Sequence, residues 1–585
     1  MTTMLRFWSF LIGFATIIQS SVIAQSKALK SSKPNVILIM TDDQGYGDLS
    51  CHGNSVLETP NLDQLYSESI RLTNFHVSPF CTPTRAALMT GRYPARTGAY
   101  RTSSGRTMLH TDEQTIANVF SENGYKTGMV GKWHLGDNAL HRPQDRGFQD
   151  VVWHRSGGVG QASDYWGNDY FDDTYERNGT FEKFTGYCTD VWFDEAKRFI
   201  DENKTAPFFL YLATNAPHGP YFVDSKWSDP YQGKANWAKG PEFYGMIANF
   251  DYNLGLLREH LETMGIADNT ILIFMSDNGT AKGGKFKGLD SESIQGYNAG
   301  MRGKKSSIYE GGHRVPFFIY WPDGNIQGGR DINALTAHID VLPTLADLCN
   351  IPVPEAHHPD GLSFKTSLEN PKASSNREHL IVQFQGGAYF KTDPKPWDDS
   401  CVIKDDWRLI NGKELYNIKT DLAQAKDVAT ENPTIVAELR ELYPPFWESV
   451  SPRMTPVSID IGNPAEKKVV LCSQDWYMAS GNPPWNFGSI NKLPKVTGPW
   501  MLNVKKAGTY RIILRQFPVE ADKVVKAVRA KIEIAGLEME SMVESGSKGV
   551  VFEILLPKGE IKLTTYLYNS EGDVGGAYFT EVEEI

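Results

Sequence analysis

The chain has 585 residues, enough for several domains, and its 52 glycines and 32 prolines, about one residue in seven, fall well short of the roughly 25–30% that marks low-complexity chains. With 41% hydrophobic and 12% aromatic residues it can fill packed cores, which excludes global disorder and collagen. Its 59 Lys and Arg against 70 Asp and Glu leave a formal charge of −11; this opposes a nucleic-acid binder, whose footprint is a basic excess, and requires any anionic substrate to be met by locally placed cations.

Residues 1–24 have the order of a secretory signal peptide: Arg6 gives a short positive start, Phe7 to Ile18 is apolar but too short to span a bilayer easily, and Val22-Ile23-Ala24 suits cleavage after Ala24. Gln19 to Ser21 break the apolar run early, which argues against an uncleaved anchor. No cysteine follows closely enough for a lipid anchor, and no other segment approaches about 18 consecutive apolar residues, so the mature chain is expected to be soluble, exported (periplasmic or secreted) and without a membrane span.

Asn35 to Met40, Phe208 to Ala213, Thr270 to Met275 and Val315 to Trp321 are short continuous apolar runs, the pattern of strands buried on both faces in a largely parallel sheet. Between them Leu62, Leu65, Tyr66 and Ile70, then Ile247, Phe250, Leu254, Leu257 and Leu261, then Ile339, Leu342, Leu345 and Leu348 recur near the helical period. This alternation predicts an α/β domain with helices on both sheet faces, over residues 33–450. After a linker-like stretch, Ser451 to Pro456, the texture changes: Lys468 to Leu471, Gly508 to Arg515, Lys531 to Ile534, Val550 to Leu556 and Ile561 to Tyr568 are strand-like runs between turn signals, predicting a C-terminal β-sandwich over 457–585. The six cysteines are widely spread and form no CxxC pair, which argues against a zinc site or a dense disulfide framework, while one or two bridges stay open.

Asp42 and Asp43 follow the first buried run, where parallel strands open into a ligand crevice. The third buried run ends the same way, in Ser276-Asp277-Asn278-Gly279. Asp42, Asp43, Asp277 and Asn278 make an all-oxygen set suited to Ca²⁺ or Mg²⁺ and poorly suited to zinc. In Ser78-Pro79-Phe80-Cys81-Thr82-Pro83-Thr84-Arg85, Thr82 can cap a helix that Pro83 enters and Gly91 stops. Cys81 then stands at a helix N-terminus, either as a nucleophilic thiolate or as a buried inert thiol.

Cys81-Thr82-Pro83-Thr84-Arg85 followed by Ala-Ala-Leu-Met-Thr-Gly-Arg resembles the signature of the formylglycine-dependent sulfatases, arylsulfatase-like members of the alkaline-phosphatase-like superfamily. The similarity runs in order through Gly131-Lys132-Trp133-His134-Leu135-Gly136, Ala216-Pro217-His218, Ser276-Asp277-Asn278-Gly279 and Arg302-Gly303-Lys304-Lys305 to Glu310-Gly311-Gly312. The resemblance implies an alkaline-phosphatase-like catalytic domain, a sulfuric ester hydrolase activity, and a Cys81 oxidised to formylglycine by a maturation enzyme, its hydrated aldehyde attacking sulfur. It further implies that Asp42, Asp43, Asp277 and Asn278 hold a divalent cation, usually calcium, with an oxygen of modified Cys81 completing the shell. Arg85 would orient the formylglycine, Lys132, His218 and Lys305 would surround the sulfate ester, and His134 would take the remaining hydroxyl proton so that sulfate leaves. His218 is the expected general acid, with Lys305 its rival, because imidazole titrates nearer neutral pH.

The expected substrate is a sulfated carbohydrate. A phosphonate monoester or phosphodiester hydrolase of the same superfamily is the alternative, and a silent glycan-binding protein a more distant one, since no nucleophile or ligand is missing. Trp153, Tyr165, Trp166, Asp169, Tyr170, Asp172 and Asp173 could stack on sugar faces or simply pack a loop, and Thr280 to Ala299 could line the substrate or be a surface loop. Trp476, Tyr477, Trp485 and Trp500 could bind glycan or fill the sandwich core.

Overall fold

The structure, a computed structural model, describes residues 33–282, 296–370, 376–384 and 395–585; the expected signal peptide and most of Thr280 to Ala299 lie outside them. The chain divides into residues 1–34 and a second unit, Asn35–Ile585, which holds all the regular structure among the described residues.

The central sheet has ten strands: β1 (Asn35–Thr41), β2 (Ile70–Leu72), β3 (Lys126–Lys132), β4 (Asp150–His154), β5 (Thr174–Arg177), β6 (Thr180–Lys183), β7 (Phe208–Ala213), β8 (Thr270–Ser276), β9 (Phe317–Tyr320) and β10 (Arg330–Ile332). They lie in the order β10-β2-β9-β8-β1-β7-β3-β4-β5-β6. The middle is parallel, β1 pairing with β7 and β8, and β3 with β7 and β4. β9, from the fourth apolar run, is buried as expected but runs antiparallel to β8, because the chain re-enters the sheet at the end where β8 leaves it.

Alternate residues of β1 serve opposite cores, as a buried strand requires. Val36, Leu38 and Met40 pack with α2 (Cys81–Thr90), α3 (Ile116–Glu122) and α6 (Val341–Leu348), whereas Ile37 and Ile39 pack with α1 (Pro60–Glu68), α4 (Cys188–Asn203) and α5 (Gly240–Thr263). Two ends of the helical readings shift: Ile70 belongs to β2, and Ile339 to a 3₁₀ turn, His338–Asp340, before α6. Each is a buried apolar residue that faces a different core from the helix it was read with: Ile70 joins the core opposite Leu62 and Leu65, and Ile339 packs under the later meander rather than with Leu342 and Leu345.

A four-stranded antiparallel meander, Leu380–Gln383, Ser400–Lys404, Trp407–Ile410 and Glu414–Asn417, follows. Its strands are only four or five residues long, too short to show a period in the sequence. One face, with Val382 and Cys401, packs on Ala87 of α2; the other, with Val402 and Leu409, is covered by helices Pro433–Glu441 and Tyr443–Val450.

Beyond residue 457 two sheets stack as a sandwich: Ile459–Ile461, Trp500–Val504, Gly559–Tyr568, Arg529–Ile534 and Leu537–Met542 in one, and Lys468–Cys472, Phe579–Glu584, Gly508–Arg515 and Val550–Leu556 in the other. Val550–Leu556 alternates buried and exposed along its length, as a strand with one wet face must. Trp476 and Trp500 fill the core with rings 5.7 Å apart.

The sandwich is docked. Met108 and Ala162 lie within its hydrophobic core. Asn138 Nδ2 donates to Val470 O at 3.1 Å and Ala139 N to Glu466 Oε2 at 2.7 Å. The linker is pinned too: Arg453 Nη2 meets Asp112 at 2.8 Å and Glu113 at 3.1 Å. None of the six cysteines forms a disulfide, and no described helix is long and apolar enough to cross a membrane.

Candidate active site

β1 presents Asp42 and Asp43 at its carboxyl end, and its neighbour β8 presents Asp277 and Asn278. Thr41 pairs with Ser276 in parallel register, so the two pairs leave the sheet at the same height. Lys132 ends β3, His134 follows it, and His218 stands in the turn after β7. α2 starts at Cys81 after an extended Phe80 (φ −154°), so Thr82, expected as a cap, lies inside the first turn; Gly91 ends the helix at φ 64° as expected.

These side chains form one charged lattice. Lys132 Nζ meets Asp42 Oδ2 at 2.7 Å, Arg85 Nη2 meets Asp277 Oδ2 at 2.9 Å, and Lys305 Nζ meets Asp43 Oδ1 at 2.6 Å. Of the two adjacent lysines, Lys305 is therefore the one that reaches the centre. Asn278 Nδ2 donates to Asp43 Oδ1 at 3.0 Å, and Asp43 N to Asp277 Oδ1 at 3.1 Å. His218 Nδ1 donates to Gly219 O at 2.6 Å, which leaves Nε2 free, 3.8 Å from Asp43 Oδ2. Asp43 (φ 71°) and His134 (φ 61°) adopt left-handed backbone, a strain that costs roughly 1–3 kcal/mol at such positions and persists where the surroundings over-determine it.

Three carboxylates and three cations thus share a space that only Lys305 and the neighbouring His218 open partly to solvent, and burial dominates their proton affinities. It pushes the Asp277 carboxyl up to about 6, with Asp42 adding to the rise. It would raise Asp43 as well, but Lys305, His218 and Lys132 overrule it and hold that carboxyl below the ordinary range. Burial opposes the charge on Lys305, yet Asp43 beside it keeps the ammonium protonated. The His218 imidazole is pulled down to about 3 by burial against Asp43, and burial, with Lys132 and Arg85, holds His134 well below its usual value. Burial also raises the Cys81 thiol in spite of Lys132 and Lys305. An unmodified Cys81 is therefore a neutral thiol, and the thiolate reading loses its support.

The residues fit a hard cation. Asp42 Oδ1 and Asn278 Oδ1 are buried acceptors without a hydrogen-bond partner, an arrangement that burial penalises unless something positive meets them. Asp42, Asp43 and His218 each offer a donor atom within 4.8 Å of the others. The oxygens are carboxylate and amide, the donor chemistry of Ca²⁺ and Mg²⁺.

Sequence reasoning missed several supports. Tyr211 Oη of β7 receives Arg85 Nη1 at 3.3 Å; a hydroxyl in an otherwise apolar run was the available signal. Thr280 O accepts from Lys305 N at 3.0 Å. The aromatic stretch after Val152 divides: Trp153 is core, Trp166 packs at a tilt on Phe487 of the sandwich with centroids 4.4 Å apart, and Tyr170 donates its hydroxyl to His218 O at 2.8 Å. Asp173 caps the loop by accepting from Tyr170 N and Tyr175 Oη, while Asp169 and Asp172 are exposed and Tyr165 faces Phe181 at 5.3 Å.

A model of the sulfatase family matches residues 34–351, more than half of the chain, and the chain belongs to that family. It is a sulfuric ester hydrolase of alkaline-phosphatase-like fold. It is similar to the N-acetylgalactosamine-6-O-sulfatase of Bacteroides thetaiotaomicron, at 28% identity over 508 residues covering 72% of this chain and 94% of the relative. Human arylsulfatase A is 32% identical over 351 residues, 55% of this chain and 65% of that protein. Among solved structures, Ps i-CgsB matches with a TM-score of 0.63 at 30% identity over 72% of this chain and 94% of its own. The same protein in complex with k-i-k-neocarrahexaose matches with a TM-score of 0.62 at 29% identity, with the same coverage.

Proposed function

We propose that this sulfatase is exported and removes sulfate from sulfated carbohydrate, with formylglycine at position 81 and a divalent cation held by Asp42, Asp43, Asp277 and Asn278, calcium first and magnesium as the alternative. Residues 33–450 form the catalytic domain in this reading and 457–585 an accessory one. The observation that carries it is the meeting, at one strand-end crevice, of Cys81, two buried acceptors without a hydrogen bond, and three cations, Arg85 and Lys132 buried and Lys305 partly exposed. Support for a carbohydrate comes from relatives that act on N-acetylgalactosamine sulfate or bind a neocarrahexaose. Beside the His218 turn, the half-exposed ring of Phe222 lies 5.1 Å from that of Phe171 and offers an apolar face to a sugar. Export rests on Arg6, the apolar run Phe7 to Ile18 and the cleavage site at Ala24.

Formylglycine in its hydrated form supplies the oxygen nucleophile, and the bound cation supplies positive charge against the sulfate. The chain's own residues do the rest. Arg85, one turn along α2 and held by Asp277 and Lys132 O, orients position 81. Lys132 and Lys305 bind the non-bridging sulfate oxygens, neutralising charge that grows as the ester S–O bond breaks. His218 passes a proton through Nε2 to the departing alkoxide; an arriving sulfate anion favours that proton. His134 takes the hydroxyl proton when the enzyme is restored.

A panel of defined sulfated mono- and oligosaccharides, together with an aryl phosphodiester at equal concentration, tests the reading. Sulfate release from at least one sugar ester, faster than phosphodiester cleavage, is expected. Phosphodiester cleavage with no sulfate release from any ester would replace it with the phosphodiesterase alternative.

A further inference from the structure

The wall of the site nearest the two histidines is glycine backbone. A Cβ at Gly157 would collide with His134 at Cε1 and Nε2, and one at Gly158 would stand 3.2 Å from His218 Cε1 and 2.9 Å from Gln161 Nε2. The segment therefore runs close beside both rings, with no room for a Cβ at Gly157 and little at Gly158, and its placement limits where the rings can sit. Ser156, which opens it, is buried and left-handed at φ 67°. Two bonds hold Ser156: its N–H donates to Asp137 at 3.0 Å, and its Oγ donates to Gln474 Oε1 at 2.5 Å.

Gln474 belongs to the sandwich. It sits in the 3₁₀ turn Ser473–Asp475 that follows strand Lys468–Cys472, and it is 2% exposed. The turn is anchored on its own side by Ser473 N to Tyr578 O at 2.7 Å and Ser473 Oγ to Pro484 O at 2.5 Å. On the catalytic side the Gln474 carbonyl accepts from Ser104 N at 2.9 Å and Gly105 N at 3.4 Å. One sandwich residue thus ties two catalytic-domain loops, with its side chain on the segment that touches His134 and His218.

We propose that Gln474 is a positioning residue of the sulfatase site: through Ser156 it sets the Gly157-Gly158 wall against His134 and His218, which makes the C-terminal sandwich part of the active site. The proposal rests on the sulfatase reading for its kinetic consequence and on geometry alone for its structural one. Proton transfer at His218 Nε2 and at His134 requires each ring to meet its partner within hydrogen-bond reach, and a displacement of about 1 Å can lower turnover by roughly a hundredfold. Substrate contacts made by Lys132 and Lys305 do not pass through Gln474, so binding is spared.

The test compares wild type with Gln474→Met, which keeps the length but removes the acceptor, with Ser156→Ala, which removes the donor from the other side, and with the double variant. Each single variant is expected to lower kcat on a sulfated sugar by roughly ten- to a hundredfold while KM changes less than about twofold, and the double variant to be no worse than either single one. In ¹⁵N-histidine-labelled protein without substrate, the ring signals of His134 and His218 should move and those of His110 and His260 should not. If wild type releases no sulfate from any ester, the sulfatase reading fails, while the ring signals still judge the wall. Unmoved ring signals with kcat per folded molecule within about twofold of wild type, even alongside a lower Tm, would overturn the proposal and leave a purely structural tie.

Discussion

Ser306 donates its backbone N–H to Pro79 O at 2.7 Å, which ties the loop carrying Lys305 to the segment that leads into Cys81. The lysine chain then passes over the Phe80 ring, Nζ to centroid 4.8 Å, and ends on Asp43. Cation and nucleophile position are thus held by one local scaffold, whereas His218 arrives on a separate turn after β7.

That separation predicts different kinetic signatures. His218→Ala should slow sugar sulfates by roughly 10²–10⁴-fold and spare activated aryl sulfates, because a good leaving group needs less protonation. Lys305→Ala should lower both by a similar factor, about 10²–10³-fold, as loss of a charge-stabilising group does. Rates across a leaving-group pKa series read the difference; the opposite pattern would give the acid role to Lys305.

Position 81 is tested directly. Peptide mass spectrometry of active protein should show the thiol replaced by an aldehyde or its hydrate, and Cys81→Ala should abolish turnover with the fold retained by circular dichroism. Cysteine is nearly alanine-sized at this buried helix start, so little packing is lost. Residual full activity in that variant would exclude a covalent role.

The cation reading predicts a ligand-dependent Tm. Saturating Ca²⁺ or Mg²⁺ at about 100 times its Kd should stabilise wild type by about 2.7 kcal/mol, since ligation favours the folded state alone. Asn278→Ala should blunt that gain and activity together. Asp277→Ala should do so with an added loss of about 3–5 kcal/mol, because it leaves the fully buried Arg85 guanidinium without its nearest carboxylate. Thermal melts with and without chelator measure both effects.

A pH prediction concerns Glu310, behind the Lys305 loop. Arg408 Nε lies 2.5 Å from Glu310 Oε1, both side chains closed to solvent. Burial would raise this carboxyl, but Arg408, His76 and His313 overrule it and hold it below the ordinary value of 4.5. A depressed carboxyl contributes stability that is fully present above its ordinary value of 4.5 and is lost progressively as pH falls from there towards the lower folded value. Wild-type Tm should therefore drop on acidification below about pH 4.5. Glu310→Gln should melt lower at pH 7 and show a shallower acid limb; parallel limbs would remove Glu310 as a source.

Truncation after Val450 tests the docked sandwich. Removing it uncovers Met108 and Ala162 and leaves the Ser104 and Ser156 loops without Gln474, so the remainder should aggregate or melt lower and lose activity even on small aryl sulfates. A stable remainder, normal on aryl sulfate and weak only on polymer, would instead mark the sandwich as a tethered binding module.

The sequence by itself determined the local matters. Continuous apolar runs specified the buried strands β1, β7 and β8, a period near 3.6 specified α5, and alternation gave Gly508–Arg515 and Val550–Leu556 with their bounds, because these patterns record burial within a few residues of chain. The ordered motifs named Asp42, Asp43, Cys81, Lys132, His218, Asp277 and Asn278 before any geometry was known. What the tertiary structure decided depends on register between distant segments, which no window of sequence contains. The parallel pairing of Thr41 with Ser276 brings the acidic pairs to one height, the loop pinned to Pro79 carries the Lys305 ammonium onto Asp43, the return of the chain turns β9 antiparallel, and the docking of the sandwich sets Gln474 against Ser156.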